Sequence, residues 1–146
     1  MTFAKELQLL TCLVIVASPV WAQETKPHTI DSDLAACEKK QGASTRGEAE
    51  CLSTAFESWE KDIATTYDAL KKLVAANELA PLEAGQKNWS DYRDHEFDFI
   101  NQLFKNKRGT MYVPIRINYR IEVLKARALE LETYLHRIKR FQGSEN

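Results

Sequence analysis

No stretch of this chain alternates apolar and polar residues for long enough to need a β-sheet, and it has no internal repeat or low-complexity segment. Charge of one sign is missing too. The 20 Lys and Arg face 21 Asp and Glu, so the total gives no basic surplus for nucleic acid. There is no C-x-x-C pair, no G-x-S-x-G elbow and no free thiol beside a histidine, which removes the usual sequence forms of redox and nucleophilic chemistry. The three histidines, His28, His95 and His136, are scattered. Asp94-His95-Glu96 are neighbours that diverge around a helix, and without an i,i+4 pair of histidines no metal site is expected. The many acids are spread in the manner of solvent faces, so none is singled out as catalytic. Neither an enzyme nor a bound cofactor is expected.

The first residues do carry a pattern. Lys5 precedes an apolar stretch from Leu9 to Ala17, followed by Ser18-Pro19-Val20-Trp21-Ala22, with small residues suited to signal peptidase at Val20 and Ala22. A retained span needs about 20 apolar residues, and this one is shorter and broken by Gln8, Thr11, Ser18 and Pro19. Residues 1–22 therefore read as a cleaved signal peptide, and the mature chain as a periplasmic or secreted protein with no stable membrane anchor. Residues 23–32, with Pro27 and no apolar period, read as a flexible leader. Residues 33–141 form one helical domain, and 142–146 a disordered tail.

Cleavage removes Cys12 and leaves Cys37 and Cys51. An even pair in an exported chain reads as a disulfide, worth about 3 kcal/mol for a loop of this size.

Helical periodicity dominates the rest. A short helix is expected from Asp33 to Gln41, capped by Asp31 or Ser32 and ended by Gly42. Thr45-Arg46-Gly47-Glu48 has the form of a capping box opening a long helix that runs to about Ala76. Its stripe is Leu52, Phe56, Trp59, Ile63, Tyr67, Leu70 and Leu73, in steps of three and four. Asn77 marks a break, and Pro81 suits the first turn of a third helix with Leu82, Gln86, Trp89, Arg93, Glu96, Ile100 and Leu103 on one face. After a polar turn from Lys105 to Thr110, Ile117, Ile121, Leu124, Ala128, Leu131, Leu135 and Ile138 give a coiled-coil-like seam. The expected fold is all-α: an antiparallel bundle of three long helices, with a short N-terminal helix stapled to the second.

An arginine in an apolar stripe needs a countercharge. Trp89, Tyr92, Arg93 and Asp94 are therefore expected to organise the core, with Arg93 paired to a carboxylate on a neighbouring helix.

Cys37, Cys51, Trp59 to Ile63, Tyr67 to Leu70, Leu82 and the run Gln86-Lys-Asn-Trp89-Ser-Asp-Tyr92-Arg93-Asp94 together resemble the LprI-type lysozyme inhibitor family. The resemblance spans roughly Leu34 to Leu135. It implies an exported, helical, cysteine-stapled protein that binds and inhibits a lysozyme-type muramidase by occlusion. Many members have a cysteine three residues after the Arg-Asp pair. This chain has Phe97 there, so packing of Phe97, Phe99 and Phe104 is expected to replace a second staple. The alternative is a binding or immunity-type module for another periplasmic protein.

Charge adds a direction. Residues 23–104 hold 9 basic and 16 acidic side chains, and residues 105–146 hold 10 and 4. One reading is that these opposed charges pair with one another across helices and on solvated faces. The other makes Glu57, Glu60, Asp68 and Glu83 the candidate partner-facing acids, suited to steering a cationic protein such as a lysozyme.

Overall fold

The computed structural model describes residues 26–144. The expected signal segment and its cleavage site lie outside the described residues.

Among the described residues there are four helices and no strand: α1 (Thr29–Gln41), α2 (Thr45–Leu73), α3 (Ala76–Phe104) and α4 (Tyr112–Ser144). The fold is all-α, as expected, and Cys37 is joined to Cys51 with Cα atoms 5.7 Å apart.

The helix ends depart from expectation in instructive ways. α1 starts at Thr29 rather than Asp33, inside the segment read as leader, because the His28 side chain caps it by accepting from the Ile30 amide. Gly42 ends α1 as expected, at a positive φ of 68°. Ser44, not Thr45, caps α2, its Oγ accepting from the Gly47 amide at 2.9 Å. A Cβ at Gly47 would stand 2.7 Å from Ser44 Oγ and 2.8 Å from Gln41 Cβ, so only glycine lets the α1–α2 turn close here.

The break before α3 falls at Val74 and Ala75 rather than Asn77, and Glu78 reaches back to accept from the Ala75 amide at 2.9 Å. Pro81 consequently lies in the second turn, where it deprives the Asn77 carbonyl of its helical donor. α4 runs on to Ser144, through residues read as tail.

The core is a seam between α2 and α4, the most extensive helix contact. Trp59, Leu70, Leu124 and Leu131 have no exposed surface, and Leu52, Ala55, Ile63, Ile121 and Ala128 pack with them. These two helices run in the same direction. Phe56 and Ile117 share one small cavity, His28 links Trp59 to Glu132, and Gln142 donates to the Leu73 carbonyl at the far end. α1 folds back along α2 under the disulfide.

α3 runs opposite to both and touches α4 more sparingly: Gln86 meets Arg127 and Asn101 meets Arg120. Ile100 is its one fully buried side chain, and Leu103, expected on the buried stripe, is exposed.

Candidate functional site

Because α3 is held mainly by α4, a groove of about 510 Å³ opens between α2 and α3. Its apolar floor and walls are Ile63, Tyr67, Trp89 and Leu124. Helical spacing explains the lining: Glu60, Ile63 and Tyr67 follow one face of α2, while Gln86, Trp89 and Arg93 follow one face of α3. Glu60, Glu83, Lys87 and Arg93 line it with charge.

These charges are not equivalent. Lys87 is paired with Asp91 at 2.8 Å and Arg93 with Asp94 at 2.7 Å. Glu60 and Glu83 form no ion pair among the described residues. The groove thus offers an apolar trough with two rim acids that form no ion pair, although the charge of Glu83 reaches Lys71 nearby.

Trp89 is fixed between two guanidiniums, Arg93 at 5.4 Å and Arg127 at 5.8 Å from its ring. Arg127 in turn donates Nε and Nη2 to Gln86 Oε1 at 3.1 and 2.9 Å, and Nη1 to Glu130 at 2.6 Å. That hydrogen bond is the main reason the Glu130 carboxyl is held below its usual range.

Arg93 departs from expectation. Its partner is Asp94 on the same helix, with Ser90 as a further acceptor, and not a buried carboxylate across the fold. The pair is half solvated, with Asp94 63% exposed and Arg93 27%, because α3 presents this face at the groove edge rather than to a closed core. Tyr92, at 54% exposure, also points away from the core.

Of the four candidate acids, Glu60 and Glu83 line the groove, Glu57 lies beside Glu60 in a neighbouring cavity with Phe56, and all are exposed. Asp68 is elsewhere, bound to Lys71 at 2.8 Å, which holds its carboxyl below the usual range.

The position of the missing cysteine is filled in part as expected. Phe97 packs on Phe56 with ring centres 5.9 Å apart and tethers α3 to α2, and Phe104 packs on Tyr112 and Tyr119. Phe99 faces outward at 59% exposure, so it does not join them.

A cluster that the sequence did not reveal lies on the other side of α2. His28, Asp62 and Glu132 bring their ligand atoms within 4.8 Å of one another, and the His28 ring stacks on Trp59 at 4.4 Å. Beside them, Lys125 pairs with Asp31 at 2.8 Å. Burial, and then the Glu132 charge, push the Asp62 carboxyl above its usual range, and Asp62 Oδ2 is buried without a hydrogen-bond partner.

His28 Nδ1 accepts from the Ile30 amide, so the neutral ring carries its proton on Nε2, aimed at Glu132 Oε1 3.2 Å away. A cation at Nε2 would force that proton onto Nδ1 and break the α1 cap. The cluster therefore works as a clasp closing α1 over α2 and α4. Had the capping capacity of His28 been recognised, its place at a helix start would have been legible.

Fold and groove together define a small all-helical protein with an apolar trough open between α2 and α3. The comparisons narrow this class. A family model described as "Lysozyme inhibitor LprI" matches residues 37–131, and the chain belongs to that family. Cys37, Cys51, Trp59, Gln86, Trp89 and Arg93 all fall inside the match. None of the curated proteins matches the chain.

Among solved structures, it is similar to an uncharacterised protein from Burkholderia thailandensis, with a TM-score of 0.72 and 23% identity, over 80% of this chain. The chain spans 58% of the length of that protein, and the likeness concerns the fold alone.

Proposed function

We propose that this protein is an envelope-located inhibitor of a lysozyme-type muramidase, which it binds through the α2–α3 groove and blocks by occlusion rather than by chemistry. The family assignment supports the class of partner. The observation that carries the choice of surface is the apolar trough rimmed by Glu60 and Glu83, which form no ion pair among the described residues while the groove's cations do. Lysozymes are commonly cationic, and such an acidic rim both steers such a partner and pairs with it on contact.

The scaffold we infer is the antiparallel arrangement of three long helices, with α3 as its loosely seated member. Action in the envelope rests on the signal-like residues 1–22 and on a disulfide that an oxidising compartment favours. No helix of the described residues is long and apolar enough to cross a membrane.

The test is a lysis assay in which the chain beginning at Gln23 is titrated against a cationic lysozyme. Inhibition saturating at a stoichiometric ratio supports the reading. A natively folded protein that leaves lysis untouched across several lysozymes overturns it.

A further inference from the structure

The opposite end of the molecule has the reverse character. From Phe99 to Ile121 the chain contains no Asp or Glu, while besides the partly buried Arg120 it holds Lys105, Lys107, Arg108 and Arg116. These residues end α3, form the connecting turn and begin α4, so they occupy one tip of the helical hairpin. Lys105, Lys107 and Arg108 are exposed, and none of the four forms an ion pair among the described residues. Burial, and then the charge of Arg116 one turn away, lower the pKa of Arg120, against the opposing charge of Asp98.

Large apolar side chains project from the same tip. Phe99, Leu103, Met111, Val113, Ile115 and Tyr119 are all exposed, Phe99 by 59% and Met111 by 58%. Along a helix at 1.5 Å per residue, Phe99 and Tyr119 stand back about 8 to 11 Å from the turn. That is close to the depth, about 5–10 Å, to which interfacial segments enter the boundary between headgroups and acyl chains.

We propose that this tip docks reversibly on the surface of an anionic phospholipid bilayer, placing its apolar side chains among the headgroups and its cations against the lipid phosphates. Charge selects this occupant. A second copy of the tip would bring cations against cations, and a cationic protein would be repelled. A nucleic-acid backbone would leave the apolar side chains without a partner.

Exposed apolar side chains beside Lys and Arg on a hairpin segment that carries no acid of its own match the interfacial combination, and exposed aliphatic groups in such number are otherwise a liability. Docking in this pose turns the acidic groove away from a surface of like charge, leaving it open to a soluble partner. The proposal stands apart from muramidase inhibition, and either can fail alone.

The test is co-sedimentation of the chain beginning at Gln23, which keeps all four helices, with vesicles of phosphatidylcholine alone or mixed with phosphatidylglycerol. Binding is expected only with phosphatidylglycerol, weakening as salt rises. The K105E/K107E/R108E variant is expected to lose binding by at least about tenfold, and M111S/I115S to lose it by a similar factor, both with unchanged melting temperatures. Lysozyme inhibition by both variants, measured without lipid, is expected to match the parent. Absence of binding to the mixed vesicles, equal binding to the neutral ones, binding indifferent to both variants, or a concentration-dependent dimer abolished by M111S/I115S would each overturn the proposal.

Discussion

The α2–α4 seam and the α3 helix are of similar apolar content by sequence, yet they are used differently. Along the seam Trp59, Leu70, Leu124 and Leu131 are wholly buried, whereas α3 fully buries Ile100 alone. Burial is therefore concentrated in α2 and α4, and the groove exists because α3 stops short of closing against α2. Apolar surface left uncovered by the fold is what a partner can cover.

The largest expected effect puts this difference to work. Leu124→Ala should cost about 2–5 kcal/mol, because it empties a site with no exposed surface. Trp89→Ala, at a half-buried position in the groove wall, should cost less in a thermal melt while weakening muramidase binding more than any core substitution that leaves the protein folded. If the two variants melt alike, α3 is as integral to the core as α2 and the contrast fails.

Next comes the staple. Replacing Cys37 and Cys51 together by Ser should lower stability by about 3 kcal/mol in the chain-entropy account, since the bond closes a loop of 14 residues in separation. Denaturant titration of the variant against the oxidised parent measures this, and an unchanged midpoint would place the hold on α1 entirely in the His28 clasp.

Arg93→Ala sharpens the contrast from the side of α3. Its ion pair with Asp94 lies on one helix with the carboxylate exposed, so removal should cost about 1 kcal/mol for the pair, together with the packing of Arg93 on Trp89. A loss of several kcal/mol by calorimetry would instead mark a buried charge network.

Smallest is the pH effect of the clasp. The folded state holds the Asp62 proton more tightly than the unfolded chain does, so this group favours folding fully below the ordinary carboxylate range. That contribution is lost as pH rises through the raised native value. Asp68 and Glu130, held below their usual range, act in the other direction: their contribution is present above the ordinary range and is lost as pH falls through their lowered values. Asp62→Asn should thus raise the melting temperature at about pH 7 and leave it nearly unchanged at about pH 3. A decrease at neutral pH would show that ionised Asp62 stabilises the cluster.

The parts legible in the sequence are those fixed by local period. The stripes of α2 and α4, the Gly42 stop and the cysteine pair all follow from spacing that any packing must respect. Caps shifted by a residue or a few where two residues competed, Ser44 with Thr45 and His28 with Asp31.

The α3 stripe misled for a physical reason: amphipathicity says which face is apolar and not how far a neighbour covers it. Leu103 and Phe99 remain exposed for that reason, and Arg93 found a carboxylate on its own helix before any helix across the fold could supply one. The clasp of His28, Asp62 and Glu132 joins residues far apart in the chain, and no pattern in the sequence announces such a meeting.

The central claim is that a muramidase is met in the α2–α3 groove through its acidic rim. Stopped-flow association of the chain beginning at Gln23 with a cationic lysozyme, at about 0.05 and 0.3 M salt, tests it most directly when the double variant Glu60→Lys with Glu83→Lys is run beside Asp68→Lys. Glu60 and Glu83 line the groove, while Asp68 lies outside it with Lys71 as its partner. The account predicts that the groove variant associates at least about tenfold more slowly and loses most of the salt dependence, while Asp68→Lys stays close to the parent. Equal slowing by both variants, or an association indifferent to salt and to the groove charges, would contradict it.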